Sequence, residues 1–542
     1  MIAFVHELIS HSAQCTPDAI ALQIKETQLS YAQLNKKIIR VAQCYTSLGL
    51  SAGDRVGVYL AKNQENVQSM FACSLLGAVF VPINPVLKAQ QAHYIANDCQ
   101  IKVFITNHSR FMTLKPYLAT LTQLSTIIVI DANEEELLAV SPSSAVNVMT
   151  WLSFIAQHSE LPDTICQTTP RQSAITPDSL AAILYTSGST GQPKGIMLSH
   201  TNIVLGAKSV SQYLQLTADD KILALLPLSF DYGLNQLTSC FLIGAKCVLL
   251  DYLLANDVIK AISRYKITGL AAVPPLWIQL TKVKWPIAAA SSIRYFTNSG
   301  GVLPLATLAA LRENMPTAKA YLMYGLTEAF RSTFLSPDEI DNRPNSIGKA
   351  IPHSEILILR EDGHCCDVDE VGELVHIGPL VALGYWQNTV ATTERFKRTP
   401  KQAINAQNTS LAVFSGDFVK QDADGFLYFV ARKDAMIKTS GYRVSPNELE
   451  SVLLQIPQVD EVAVIASPSI ELGQAIIALI VTSSHDKQSK VRLDIIKHCQ
   501  LNIPNYMIPK NLVFLSALPR NANGKVDSKL LTDHYNKTHN LI

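Results

Sequence analysis

The sequence predicts an α/β protein: a large N-terminal domain of α/β layers plus a β-rich lobe, followed by a small α+β C-terminal domain. Three observations carry this. Short apolar runs alternate with helical periodicity through most of the chain, which implies helices layered on largely parallel sheets. Between residues 345 and 430 the pattern changes to short strands with Gly/Asp turns. After Arg432 a capped helix restarts the alternation in a segment of ordinary domain size. The expected boundary is Asp434, dividing the chain into residues 1–433 and 434–542.

In chain order, Asp54–Leu60, Val103–Thr106 and Ile127–Ile130 read as short buried strands. Residues 159–178, rich in Thr, Pro, Ser and Gln, read as a surface loop before the buried strand Ala181–Tyr185. Leu237–Leu250 is short and contains Lys246, so it reads as a core segment rather than a membrane span. Glu355–Leu359 and Gly372–Ile377 are strands of the β-rich lobe. Ser445-Pro446-Asn447-Glu448 is a capping box with proline at the first helical position, followed by Leu449, Val452 and Leu453 at helical spacing. Strands at Val462–Ala466 and Ala475–Val481 and a helix at Val491–Cys499 complete this module, and no internal repeat is present.

The 542 residues are 48% hydrophobic, ample for a large core. Lys+Arg is 45 and Asp+Glu 44, a net charge of +1, so no broad field holds nucleic acid or an anionic membrane surface. Ten cysteines are scattered without CxxC or other ligand spacing, as expected of reduced thiols in a cytoplasmic protein. Met1–Ser12 lacks a basic start and an unbroken apolar core, so it is not a signal peptide.

The most informative stretch follows the strand Ala181–Tyr185. Residues Thr186, Ser187, Gly188, Ser189, Thr190, Gly191, Gln192, Pro193, Lys194 and Gly195 offer four hydroxyls, three glycines and one lysine. Small residues turn backbone N–H groups inward, hydroxyls add donors, and Lys194 adds a cation, which together cradle a polyphosphate. The Walker pattern is excluded, because Pro193 and Gly195 flank the lysine.

This stretch resembles the phosphate loop of the adenylate-forming enzymes: acyl-CoA synthetases, nonribosomal peptide adenylation domains and luciferases. Four further motifs follow in the family's order. Tyr324-Gly325-Leu326-Thr327-Glu328 by itself reads equally as a helix start. By resemblance Thr327 touches the α-phosphate, Glu328 binds Mg²⁺, Tyr324 lies against adenine, and Gly300 and Gly301 let backbone approach the base. Ser415-Gly416-Asp417 with Arg432 resembles the ribose site, Asp417 taking the hydroxyls, Arg432 the ribose and phosphate, and Phe429 the neighbouring aromatic place. Lys438-Thr439-Ser440-Gly441-Tyr442-Arg443 resembles the segment beside the phosphopantetheine tunnel, with Lys438, Gly441 and Arg443 serving the thiol arm; it also reads as a basic solvated turn. Pro519–Asp527 matches the catalytic-lysine motif, which makes Lys525 the group that stabilises charge between carboxylate and α-phosphate. The resemblance implies ATP and Mg²⁺ as cofactors. It also implies stacked α/β subdomains in the N-terminal domain and a mobile C-terminal lid that swings about Asp434 between adenylation and thiolation. Ala431 and Phe429 depart from the residues usual in relatives, without removing a charged group.

The substrate clue is Phe230-Asp231-Tyr232-Gly233-Leu234-Asn235. In relatives that activate amino acids, an aspartate here pairs with the substrate ammonium, and a buried carboxylate needs such a partner; Asp231 equally reads as a helix cap. The other positions matching that pocket are Phe230, Tyr232, Asn235, Leu276, Met323, Arg331 and Ser332, with bulky Tyr232 favouring a small side chain or ring. Arg331 either faces the pocket or supports the phosphate region. Two subfamilies fit: a stand-alone proline-type adenylation enzyme of nonribosomal peptide synthesis, and an exosortase-associated AMP-forming acyl-CoA ligase acting on a fatty or other organic acid. Only 17 residues follow Lys525 (542 minus 525), so the thiol, on CoA or a peptidyl carrier protein, is expected in trans. A luciferase-like oxidase uses the same adenylation parts. A non-catalytic nucleotide sensor is disfavoured, because Glu328, Asp417 and Lys525 are all retained.

Overall fold

The computed structural model describes residues 2–140, 146–157, 175–186, 193–399, 411–432, 437–439, 442–469, 472–482, 488–503, 505–521 and 524–538. Two large sheets form the N-terminal domain. One has nine strands, and its interior runs parallel through Lys319–Tyr324, Tyr295–Asn298, Gly269–Ala272, Lys221–Ala224, Lys246–Leu249 and Ile20–Ile24. The other has eight strands, with Val79–Pro82, Arg55–Tyr59, Val103–Thr106, Thr126–Val129 and Asn147–Thr150 parallel. Strands predicted at 54–60, 103–106 and 127–130 form within one or two residues of their expected limits.

One apolar cluster joins the two sheets. Leu22, Ile222 and Cys247 of the first and Val56, Phe80 and Leu184 of the second meet through Leu34, Phe71, Ile203 and Phe241 of intervening helices. The helix Gln64–Leu76 buries nearly every residue, as a helix walled by protein on all sides must. Phe71 and Phe241 pack edge to face with centroids 5.5 Å apart, and truncating either to alanine costs about 3–5 kcal/mol. The segment 237–250 is indeed core, but it is two elements. The helix Asp231–Leu242 ends before Gly244, and Lys246–Leu249 re-enters the sheet.

The β-rich lobe is a five-stranded antiparallel sheet in which Leu411–Gln421 pairs with Gly372–Ile377, Phe396–Arg398 and Leu427–Arg432. The C-terminal domain has its own sheet, built on Glu461–Ser469 and Gly473–Val481, and its own core around Leu449, Leu453, Ile480 and Ile495. Its first helix, Pro446–Leu453, is capped by Ser445, whose Oγ accepts from the Glu448 amide at 3.2 Å. The reciprocal half of the predicted capping box is replaced: the Ser445 hydroxyl donates to the Val430 carbonyl and fastens this helix to the lobe. The expected hinge residue Asp434 lies outside the described residues, as does most of the loop 159–178. No helix among the described residues is long and apolar enough to cross a membrane. Cys44, Cys73, Cys99, Cys240, Cys247 and Cys499 are free and buried.

Candidate active site

The parallel strands Gly269–Ala272, Tyr295–Asn298 and Lys319–Tyr324 end at one edge, the place where an open α/β sheet has its ligand crevice. The second loop carries Gly300, at φ +79°; a Cβ there would lie 3.3 Å from Val273 Cγ1 and 4.0 Å from Lys525 Cε. Lys525 therefore reaches from the C-terminal domain to the lip of the crevice. The turn that presents it is held by Asn521, whose Oδ1 accepts from the Lys525 amide at 3.1 Å and whose amide donates to the Lys525 carbonyl at 2.8 Å. Lys525 is open to solvent on one side. Crowding by protein lowers its ammonium pKa; Arg432 pushes the same way, while Asp231, Asp417 and Glu328 oppose it. Charged groups from three parts of the chain thus act on one lysine.

Asp417 and Arg432 face each other across paired antiparallel strands, with Arg432 Nε 3.2 Å from Asp417 Oδ1. Tyr324 donates to Asp417 Oδ2 at 2.5 Å, and its ring centroid is 6.2 Å from that of Phe429. Burial raises the Asp417 pKa, against the pull of Arg432 and Tyr324. Its Oδ1 is buried and accepts no hydrogen bond among the described residues. A buried carboxylate oxygen that is ion-paired but accepts no hydrogen bond among the described residues, beside an aromatic pair, fits the hydroxyls and base of a nucleoside. The sequence-predicted residues Tyr324, Asp417, Phe429 and Arg432 are brought together.

Of the phosphate-loop candidates, Thr186 and Lys194 stand at the ends of two paired strands. Thr186 pairs with Lys194 across the antiparallel strands Leu180–Thr186 and Lys194–Ser199. Ser187, Gly188, Ser189, Thr190 and Gly191 lie outside the described residues. Lys194 Nζ sits 5.5 Å from the centroid of the Tyr385 ring, and Tyr385 donates to Glu328 Oε1 at 2.7 Å. Tyr385 thus connects the loop's lysine to the acid expected to hold metal, with Thr327 next to that acid in the short helix Thr327–Ala329. No group of three metal-ligating side chains occurs among the described residues. One carboxylate facing a polyphosphate is enough for Mg²⁺, which takes few protein ligands and several phosphate or water oxygens. Glu328 would hold it, and the ion would supply neutralisation of phosphate charge. Tyr385 was not singled out in the sequence; its signal is Gly384-Tyr385-Trp386, whose backbone pairs with Ile196 and Met197 at the hairpin's edge.

Among the candidates for the acid pocket, Asp231 already has a cation from the protein: Arg331 Nη1 is 2.7 Å from its Oδ2, and both residues are buried. Asp231 is nevertheless the first residue of the helix Asp231–Leu242, with Phe230 as its cap residue. Arg331 lies over Tyr232, its Cζ 4.7 Å from the ring centroid, which answers the open question of its place. Tyr232 is fixed by its hydroxyl, 3.0 Å from the Thr297 carbonyl. Met323 Sδ accepts from Tyr213 at 2.9 Å, and Asn235 Oδ1 accepts from Ser239 at 3.2 Å. Ser332 is buried against His376 Nδ1 at 3.1 Å. Burial holds that imidazole near pKa 3, hence neutral. Leu276 departs from expectation: it packs with Trp277 and Phe296 on the other face of the sheet, away from the cluster of Tyr232 and Met323. The helix Pro274–Thr281 turns Leu276, Trp277 and Leu280 into that core, which overrides the match by position.

Of the thiol-tunnel candidates, Lys438 and Arg443 occupy opposed positions in the hairpin Ile437–Thr439 and Tyr442–Val444, and Gly441 lies outside the described residues.

Residues 9–386 match the sequence pattern described as AMP-binding enzyme, and residues 448–525 match AMP-binding enzyme C-terminal domain. The chain is 29% identical over 528 residues to the indoleacetate–CoA ligase of Aromatoleum aromaticum, covering 96% of each chain. It is also 29% identical over 534 residues to the L-proline–[L-prolyl-carrier protein] ligase of Pseudomonas fluorescens, covering 96% of this chain and 97% of that one. The crystal structure of an anthranilate CoA ligase in complex with anthranoyl-AMP superposes with a TM-score of 0.86 at 26% identity, over 100% of both chains.

Proposed function

Because the chain belongs to the AMP-binding enzyme family, we propose that it joins a carboxylic acid to a thiol through the residues gathered at this crevice. In the first step a carboxylate oxygen attacks the α-phosphorus of ATP, an O–P bond forms, and the bond to pyrophosphate breaks. Lys525 stabilises the negative charge shared by carboxylate and α-phosphate and aligns the attack. Thr327 donates to the α-phosphate, Asp417 and Arg432 hold the ribose, Tyr324 and Phe429 flank the adenine, and Thr186 and Lys194 steady the outer phosphates. In the second step a thiolate attacks the acyl carbon and AMP leaves. A rotation at Asp434 would then exchange Lys525 for the face bearing Lys438, Gly441 and Arg443, with domains 1–433 and 434–542 as the moving bodies.

The observation that carries this reading is the place of Lys525 beside Gly300, where Asp231, Glu328, Asp417 and Arg432 all act on its charge. The test is Lys525→Ala assayed in both half-reactions. Adenylation should fall by about 10²–10³-fold or more, as for loss of one oxyanion-stabilising group. Thioester formation from supplied acyl-AMP should be affected less, and equal loss of both would contradict the two-position lid.

Two finer readings of the substrates remain. A small amino or imino acid such as L-proline, loaded onto a carrier protein, is supported by Asp231 at the helix start and by Tyr232 narrowing the pocket. A fatty or other organic acid, joined to CoA, is the second; the ion pair that already neutralises Asp231 supports its acid, and this is the acid class we favour.

A further inference from the structure

We propose that Arg331 is a specificity-determining residue: it supplies from the protein the cation that Asp231 would otherwise draw from a substrate, so the enzyme activates acids with no cationic group beside the carboxyl. This deepens the ligase reading and rests on it.

The pair is built into the fold. Arg331 is 2% exposed, its Nη1 lies 2.7 Å from Asp231 Oδ2, and the same nitrogen donates to the Phe330 carbonyl at 3.1 Å. Its guanidinium is stacked over Tyr232 at 4.7 Å and Phe330 at 5.9 Å, and Tyr232 is itself tied to Thr297. Swinging Arg331 aside would break its contacts with Asp231, the Phe330 carbonyl and the two rings. The location is the reacting end of the site: Tyr232, under Arg331, is tied to Thr297 in the strand Tyr295–Asn298, whose following loop brings Gly300 beside Lys525, and Asp231 is among the charges that act on Lys525. An acid whose carboxyl meets Lys525 therefore has its neighbouring substituent near Asp231 and Arg331.

A substrate ammonium there meets a carboxylate already compensated and a guanidinium of its own sign. In a buried site, like charges at such range repel strongly. Displacing Arg331 instead would leave a buried guanidinium without its carboxylate. The remaining hydrogen-bond capacity points the other way. Arg331 Nε and Nη2 are buried and have no hydrogen-bond partner among the described residues. These are donors, suited to a hydroxyl, carbonyl or carboxylate oxygen and not to an ammonium.

The test is ATP–pyrophosphate exchange on matched acids, for example cyclopentanecarboxylate against L-proline and 3-phenylpropanoate against L-phenylalanine. The parent enzyme should favour the acid without nitrogen by at least about 100-fold in kcat/KM, the size expected of several kcal/mol of like-charge repulsion. Arg331→Ala should shift that ratio toward the amino acid by at least about tenfold, because Asp231 is then free to recruit an ammonium. Arg331→Lys, which keeps the charge, should retain most of the parent's preference. A parent enzyme that prefers amino acids, or a folded Arg331→Ala with an unchanged ratio, overturns the proposal. If Arg331→Ala does not fold, the parent ratio decides. Absence of exchange with every acid would instead refute the ligase reading, and the proposal with it.

Discussion

Arg331 Nη1 and Asp231 Oδ2 are 2.7 Å apart in the interior and 100 residues apart in sequence. The pairing has a stability consequence separate from specificity. Arg331→Leu strands a buried carboxylate, so it should destabilise the protein by about 3–5 kcal/mol, whereas Asp231→Asn with Arg331→Leu should recover much of the loss. Denaturant unfolding of the single and double variants measures both; additive losses would mean that the pair is not coupled.

The pH dependence of adenylation should report Lys525. Crowding by protein lowers its pKa, and the protonated form is the one that stabilises charge. Activity should therefore be lost as pH rises through a value below the ordinary lysine pKa of about 10.4. A kcat profile on a good acid substrate checks this. An alkaline limb at or above the ordinary value would show that Lys525 is not held in the crowded site.

Asp417→Ala should raise the KM for ATP by about 10–100-fold, the worth of hydrogen bonds to a charged group, with a much smaller change in the KM for the acid. Because burial raises the Asp417 pKa, the parent's KM for ATP should also rise as pH falls through a value above the usual aspartate pKa of about 3.9. Asp417→Ala should lack that limb. Steady-state kinetics against pH for both proteins decides it.

Gly233 shows how a backbone demand shapes the acid pocket. A Cβ there would fall 2.1 Å from the Pro227 carbonyl oxygen, where the helix Asp231–Leu242 begins against the preceding loop. Gly233→Ala must push the helix start outward, costing about 1–3 kcal/mol and moving Asp231 and Tyr232. Thermal unfolding should show the loss, and the acid KM should rise while the ATP KM changes little. Unchanged acid kinetics would mean that the helix start does not define the pocket.

Much of the fold was legible because period and punctuation agreed. Val103–Thr106 is a buried apolar run and became a strand over those same residues, and Ser445-Pro446 marked the start of a helix. The meeting of Tyr324, Asp417 and Arg432 was legible too, since they belong to short motifs whose order the resemblance supplied. The acid pocket was less so. Asp231 and Arg331 come from distant elements, and only the fold shows that one neutralises the other. Leu276 follows two prolines and looks like a pocket residue, but the register of its helix sends it into the opposite core. Tyr385 escaped notice because a Gly-Tyr-Trp string carries no chemistry until the hairpin places it against Glu328.

The most direct test of the account is the product balance of ATP turnover with a good acid and a thiol acceptor. Resolving nucleotides and phosphates by chromatography should give AMP and pyrophosphate in equal amounts, with an acyl-adenylate accumulating when the thiol is withheld. Formation of ADP and orthophosphate, or turnover without any adenylate, would contradict it.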